Sequence, residues 1–493
     1  MQETGRGCKR RGPVGWAEAA RAGGAGSPGE EFPCRLDFLS YNRSSMISSS
    51  AAGGEKVTAR LSLPPGYGAR RGLNWSVVGL LYTSFYMCRY NISIANKAMS
   101  DEFHFSKENM GDILASFFYA YAVGQVVNGL ITDRLGGKKA LLIGAAGTIL
   151  CNIAFGAASF MGMLWLFILL RGIDGYSQSF GAPGFIKINA SWFSATERGT
   201  FAGVFGFMIN LGRVAINQLG PALLAGFVFL GMWQVPAQHW RMLFFVPAGI
   251  AAIVAVALAI WAKDTPEEAG FHGVFKGEAD HDDKVKADMR EVFVTIVSNK
   301  FVWIMASAYA CTGAVRQTVD QWFPRYMQEV HKIDLGSPLF LVVGFLIPFV
   351  ASAGSFISGV ISDHLFNGRR APVAAGIYCL EIVTILIASR VSGAVAIAVA
   401  FVMVAFTANS THSLLGPAAA MDIGGRKAAA FASGCINSFQ YIGAGVAMQI
   451  LGRLLDKTGY TYFFYFMVPW AVVGAVLMFS MSKQRNLRKG SGH

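Results

Sequence analysis

Gly129-Leu130-Ile131-Thr132-Asp133-Arg134-Leu135-Gly136-Gly137-Lys138-Lys139 returns far downstream as Gly359-Val360-Ile361-Ser362-Asp363-His364-Leu365-Phe366-Asn367-Gly368-Arg369-Arg370. The shared core is Gly-x-Ile-[Thr/Ser]-Asp ahead of a dibasic pair, and each copy closes one long apolar run and opens the next. A second pair of loops, Glu197-Arg198-Gly199 and Gly425-Arg426-Lys427, echoes the symmetry. The chain therefore reads as two parallel repeats.

Working outward, apolar runs of about twenty residues, the length a helix needs to cross a bilayer, number roughly twelve. Six lie at 75–97, 110–131, 139–159, 162–184, 199–225 and 242–261, and six at 300–328, 338–360, 371–390, 393–419, 427–452 and 460–481. The 493 residues are 53% hydrophobic and 14% charged, which excludes an ordinary soluble protein. The expected fold is an all-α membrane protein with twelve transmembrane helices in two pseudo-symmetric six-helix bundles.

The domain reading follows. Residues 1–74, rich in Gly, Ala, Ser and Arg, form a disordered tail in which Met46 is a candidate start; 75–261 and 300–482 are the bundles; 262–299 is an exposed central loop; 483–493 is a basic tail. The net charge of +13 falls in short loops and tails: Arg70, Arg71, Arg134, Lys138, Lys139, Arg198, Arg369, Arg370, Arg426 and Lys427 all lie on one side. The positive-inside rule makes that side, and both termini, cytoplasmic, with no call for a nucleic-acid partner. The seven cysteines suggest neither a disulfide framework nor a metal site.

Inside the first span, Tyr82, Tyr86 and Arg89 share a helical face, and Arg316 lies at nearly the same depth in the seventh span. An arginine at mid-bilayer costs about 2.5–3.5 kcal/mol on insertion scales, so by default it faces protein or water and marks a ligand pathway. Each guanidinium offers a planar fork suited to carboxylate or phosphate oxygens. Two such groups about 10 Å apart repel by roughly 1.7 kcal/mol at an effective dielectric of about 20, and an anion between them reverses the sign.

The Gly-x-x-x-Asp-Arg-x-Gly-x-[Arg/Lys] loop at 129–138 resembles the signature of the major facilitator superfamily. Tyr82, Tyr86, Arg89 and Asn91, then Arg316 with Trp322-x-Pro324-x-Tyr326, and Arg426-Lys427-Ala428-Ala429 leading to Tyr441-Ile442-Gly443, resemble its organophosphate:phosphate antiporters. That likeness runs in patches from about residue 72 to 482. It implies an anion site at Arg89 and Arg316, alternating access, a bacterial cytoplasmic membrane and a monomer. It also implies a gate latch at Asp133, Arg134 and Asp363, the other reading of Asp133 being a helix terminator.

Two positions depart from that family, which usually carries a lysine in span two and a histidine in span five. Here they are Gln125 and Ile209. Arg213, one turn on and sharing a face with Asn210 and Asn217, either supplies the lost charge, or snorkels or pairs with Asp174 of span four. Asn409, His412, Asn437, Gln440 and Tyr441 are candidate contacts for the substrate body or interhelical glue.

No catalytic signature or nucleotide-cradling loop stands out, so neither an enzyme nor a cofactor is expected. The expected function is exchange of organic phosphates, or another small organic anion, for inorganic phosphate across the bilayer. The alternatives are a proton-coupled carboxylate symporter, with Asp320, Glu381 or Asp174 as its protonating group, and a transporter-like sensor of phosphate esters.

Overall fold

The structure, a computed structural model, describes residues 46–48, 58–60, 64–158, 160–194, 197–229, 233–237, 239–274 and 298–482, with backbone alone at 46–48, 58–60, 198–205, 228–229, 233 and 417–433. Most of the expected N-terminal tail, the C-terminal tail and most of the central loop lie outside the described residues. Two compact units divide the chain at Ser62 and Leu63; in the first, Met46–Ser48 (β1) pairs antiparallel with Thr58–Arg60 (β2). The second unit carries everything below.

Its helices are Tyr67–Phe103 (α1), Lys107–Leu135 (α2), Gly137–Ala158 (α3), Leu164–Gln178 (α4), Gly181–Trp192 (α5), Arg198–Leu224 (α6) and Met242–Trp261 (α7) in the first half. The second half has Lys300–Val330 (α8), Pro338–Val360 (α9), Arg370–Ala388 (α10), Ala394–Leu415 (α11), Pro417–Thr458 (α12) and Met467–Ser482 (α13). With α4 and α5 taken as one broken rod, each half has six rods among the described residues. A short hairpin, Phe227–Phe229 (β3) with Trp233–Val235 (β4), joins α6 to α7. In lipid, helices satisfy the backbone internally.

Among the described residues, α2, α3, α7, α9, α10 and α11 are each long and apolar enough to span a bilayer alone. The long helices that miss that test alone include α1, α6, α8 and α12, of which α12 passes together with α13 across a sharp bend, and these carry Arg89, Arg213, Arg316 and Asn437. Their polar side chains lower the hydropathy because they face the interior, where α2 packs on α12, α6 on α9 and α1 on α8 across the two halves.

Four boundaries differ from expectation. The first helix starts at Tyr67, inside the segment read as disordered, because that buried ring stacks on Trp192 and its hydroxyl donates to the Trp192 carbonyl at 2.8 Å. Residues 262–274, read as exposed loop, dock instead: Asp264 accepts from the Lys138 amide at 2.6 Å, and Ala262 and Val274 are buried. The loop expected at Gly425-Arg426-Lys427 is helical backbone of α12. The fourth span runs on to Trp192, with a break at Ser179 and Phe180.

Proline explains that break. Pro183 has no N–H for the Ser179 carbonyl one turn back, and Gln125 Nε2 from α2 approaches that oxygen at 3.4 Å. The device recurs twice. Pro247 frees the carbonyl of Leu243, which takes Asn91 Nδ2 at 3.1 Å, and Pro348 frees that of Gly344, which takes Asn217 Nδ2 from the other half at 3.0 Å. Amide side chains thus restore what proline removes and tie helices together.

Candidate functional site

Arg89 is 1% exposed, and its guanidinium lies 4.5 Å from the Tyr86 ring centre, 4.6 Å from Tyr121 and 5.2 Å from Phe117. Aromatic faces attract a guanidinium most strongly when water is excluded. Its Nε donates to Gln178 Oε1 at 3.1 Å and its Nη1 reaches the Tyr441 hydroxyl of the opposite half at 3.4 Å. Tyr82 packs beside Tyr86 with its ring tilted by 34°, ring centres 5.7 Å apart, and is buried.

Arg316 faces the same space from α8. Its Nε is buried with no hydrogen bond and lies 3.9 Å from Asp320 one turn on. Asp320 belongs chiefly to another arginine, because Arg213 Nη2 donates to its Oδ1 in an ion pair whose side chains are 5% and 2% exposed. Arg213 does not pair with Asp174. That carboxylate is held at 2.8 Å by Arg171 of its own helix, while Arg213 on α6 points across to the second half. Asn210 Oδ1 and the Tyr90 ring complete the Arg213 surroundings, and Tyr90 also donates to Asp320 at 3.3 Å. The Tyr86 ring, which packs on Arg89, lies 5.9 Å from the Tyr90 ring, which packs on Arg213, so the rings link the two arginines. Three guanidinium groups and one carboxylate thus meet at the junction of the halves. Beside the Arg213 pair is a cavity of about 20 Å³, room for one water and far too small for a phosphate ester.

The remaining expected residues divide. Gln125 and Asn437 meet each other across the halves at 3.0 Å, and Asn210 meets Ser352 of α9 at 2.6 Å. His412 stacks on Tyr309 and its Nδ1 lies 2.8 Å from that hydroxyl. Asn409 turns back to its own helix, bonding the Ala405 carbonyl at 2.8 Å, and Gln440 is buried with no hydrogen bond to its amide. Sequence reasoning missed Gln178, Tyr90 and Tyr121, and treated Asp320 only as a protonation candidate. Spacing held part of the signal: Arg171, Asp174 and Gln178 share one face of α4, and Asp320 stands one turn after Arg316.

Residues 78–448 match the family described as Major Facilitator Superfamily. The chain belongs to that family. It is 26% identical over 410 residues to the glycerol-3-phosphate transporter of Bacillus subtilis, covering 80% of this chain and 89% of that one. The membrane sensor protein UhpC of Escherichia coli is 27% identical over 421 residues, 81% and 90% covered, and a probable hexose phosphate transport protein of Chlamydia trachomatis 26% over 441, 83% and 91% covered. In fold the chain resembles the crystal structure of a bacterial homolog to the human lysosomal transporter Spinster, with TM-score 0.67 at 16% identity over 84% of this chain and 97% of that one.

In this Major Facilitator chain, an integral multi-pass membrane protein, the two ends differ. Away from the termini, Asp456 of α12 accepts from the backbone amides of Lys107 and Glu108 at 2.8 and 2.7 Å, capping α2. Arg325 reaches Asn96 and Ser100 at 2.8 and 3.0 Å, and Arg453 reaches Glu108 at 2.9 Å. A Cβ on Gly111 would lie 2.6 Å from the Met448 carbonyl oxygen, so only glycine lets α2 and α12 approach this closely. Asp133, Arg134 and Asp363 stand at the other end, exposed, and none is ion-paired among the described residues.

Proposed function

We propose that this chain is a secondary active transporter that exchanges organic phosphate esters, or a related small organic anion, for inorganic phosphate by alternating access. The observation that carries the reading is the meeting of buried arginines from both halves at their junction: Arg89, which reaches the Tyr441 hydroxyl of the second half at 3.4 Å, and Arg316, whose neighbour Asp320 is ion-paired to Arg213 of the first half. Three buried arginines against one buried Asp320 leave a net double positive charge, a match for a phosphate dianion. The functions named for the relatives, glycerol-3-phosphate transport and probable hexose phosphate transport, support the same substrate class.

In this reading the halves 75–261 and 300–482 rock about the arginines, both termini are cytoplasmic, and the monomer suffices. Tyr82, Tyr86, Asn210, Arg213, Gln125, Asn437 and Tyr441 surround the anion, and Asp133, Arg134 and Asp363 latch the cytoplasmic side in the opposite conformer. Without an anion the repulsion between the arginines opposes closure, so each return trip requires a second anion. Of the carboxylates that proton symport would need, Asp174 and Asp320 are ion-paired, and Glu381 lies within the second half with both oxygens lacking hydrogen bonds.

A second reading, a sensor of phosphate esters, is favoured by the likeness to UhpC. Counterflow separates the two. Proteoliposomes loaded with phosphate and offered labelled glycerol-3-phosphate or glucose-6-phosphate accumulate label if the chain is an antiporter. Binding without accumulation marks a sensor, and accumulation that requires a proton gradient rather than internal phosphate marks a symporter.

A further inference from the structure

Arg171, Asp174 and Gln178 take no part in the exchange scheme above, yet they form a continuous buried relay to the Arg89 side chain. Arg171 and Asp174 pair at 2.8 Å, both about 2–3% exposed, and Arg171 also donates to the carbonyls of Cys88, at 3.3 Å, and Arg89. One turn on, Gln178 is fully buried; its Nε2 donates to Asp174 Oδ1 at 3.1 Å and its Oε1 accepts from Arg89 Nε at 3.1 Å.

An amide has two faces, one accepting and one donating, and only the accepting face can meet a guanidinium. Asp174, ion-paired to Arg171 and therefore charged, only accepts, so it takes the NH₂ of Gln178 and turns the oxygen toward Arg89. The aromatic rings fix the plane of the guanidinium, and the Gln178 bond fixes its rotation within that plane. The Nη end, which already meets Tyr441, is left facing the second half. Because glutamine carries no charge, Arg89 is oriented without being neutralised, unlike Arg213 on Asp320.

We propose that Gln178, set by the Arg171–Asp174 pair, is a positioning residue that aims the Nη fork of Arg89 at the anion. The inference rests on the reading of Arg89 as an anion-binding residue. Its structural half is independent of it: Arg89 is held by an Nε–H bond whose acceptor is set by Asp174.

Two measurements on the full-length protein in detergent test it. The first follows the Nε–H resonance of Arg89 in ¹⁵N-arginine-labelled protein, assigned by its loss in Arg89→Lys. Gln178→Met, near in size but unable to accept as well, should shift that resonance and speed its hydrogen exchange at least about tenfold. Asp174→Asn, if folded, should do the same by letting the amide turn over; Gln178→Met leaves the ion pair intact and keeps the test open if it does not. The second measures binding of inorganic phosphate and glycerol-3-phosphate, for which Gln178→Met should lose about tenfold, one charged hydrogen bond. Gln178→Glu, which neutralises Arg89, should lose more. An unchanged resonance in Gln178→Met overturns the proposal whatever the ligand. A changed resonance with unchanged phosphate affinity leaves Arg89 positioned but removes it from the anion site, and no phosphate or ester binding by the unsubstituted protein overturns the functional reading alone.

Discussion

Arg89 and Arg316 occupy matching places in the two repeats, yet their surroundings have little in common. Arg89 is boxed by three aromatic rings and bonded at Nε, whereas the Nε of Arg316 is unbonded and its nearest carboxylate, 3.9 Å away, serves Arg213. Duplication set the backbone positions, and side chains from neighbouring helices then made one arginine rigid and left the other adjustable. On the proposed reading, a rigid fork would supply preorganised recognition, and an adjustable one would let the second half follow anions of different size.

Lysine substitution should expose that difference. Arg89→Lys loses the fork, the Gln178 bond and most of the aromatic contact, so phosphate affinity should fall by about 3–5 kcal/mol, a charged hydrogen bond plus a buried cation–π contact. Arg316→Lys keeps the charge at a position with few fixed partners and should lose about 1.5 kcal/mol, the low end for a charged hydrogen bond. Titration calorimetry on both purified variants measures the gap. Equal losses would mean the aromatic box contributes nothing to binding, and a larger loss at Arg316 would reverse the comparison.

A further way to break it is to take away the carboxylate between the arginines. Asp320→Asn leaves the buried Arg213 without its counter-charge, and losing one partner of a buried pair costs about 3 kcal/mol. The variant should melt several degrees lower than the parent and recover more of its stability in phosphate, since an anion can take the place of Asp320. Thermal unfolding with and without phosphate reads both shifts. If phosphate stabilises parent and variant equally, Arg213 lies outside the anion's reach.

How much of this was legible in the sequence depends on whether a residue's partner lay on its own helix. Arg89 and Arg316 were found because an arginine in an apolar run is costly wherever it points, and the repeat at Asp133 and Asp363 marked the two halves. Gln178 and Tyr121 were not, because their significance is a meeting of α4 and α2 with α1 that no spacing encodes. Arg213 shows both sides. Its departure from the family pattern was visible, but the choice of Asp320 over Asp174 depends on which way α6 faces. The prolines were equally visible at 183, 247 and 348, while the amides that answer them come from helices distant in sequence.

The smallest effects are expected at the two ends, and they compare the tied face with the face that carries Asp133. Asp456→Asn keeps the shape of the α2 cap but loses its charge, which near a helix N-terminus contributes about 0.5–1 kcal/mol. Since that contact joins the halves only when this end is closed, the loss should shift the conformers by the same amount, roughly two- to fivefold. Cysteines placed singly near Tyr119 and near Leu135, labelled from either side of the membrane, report the populations. Asp133→Asn should change accessibility in the opposite sense and by less under conditions that favour the present conformer, because Asp133 makes no ion pair here among the described residues. Its effect should grow when saturating ligand on the outer side populates the other conformer. Should Asp133→Asn be silent under both conditions, the repeated loop at 129–139 ends a helix and does nothing more, and the asymmetry between the two ends is carried by Asp456, Arg453 and Arg325 alone.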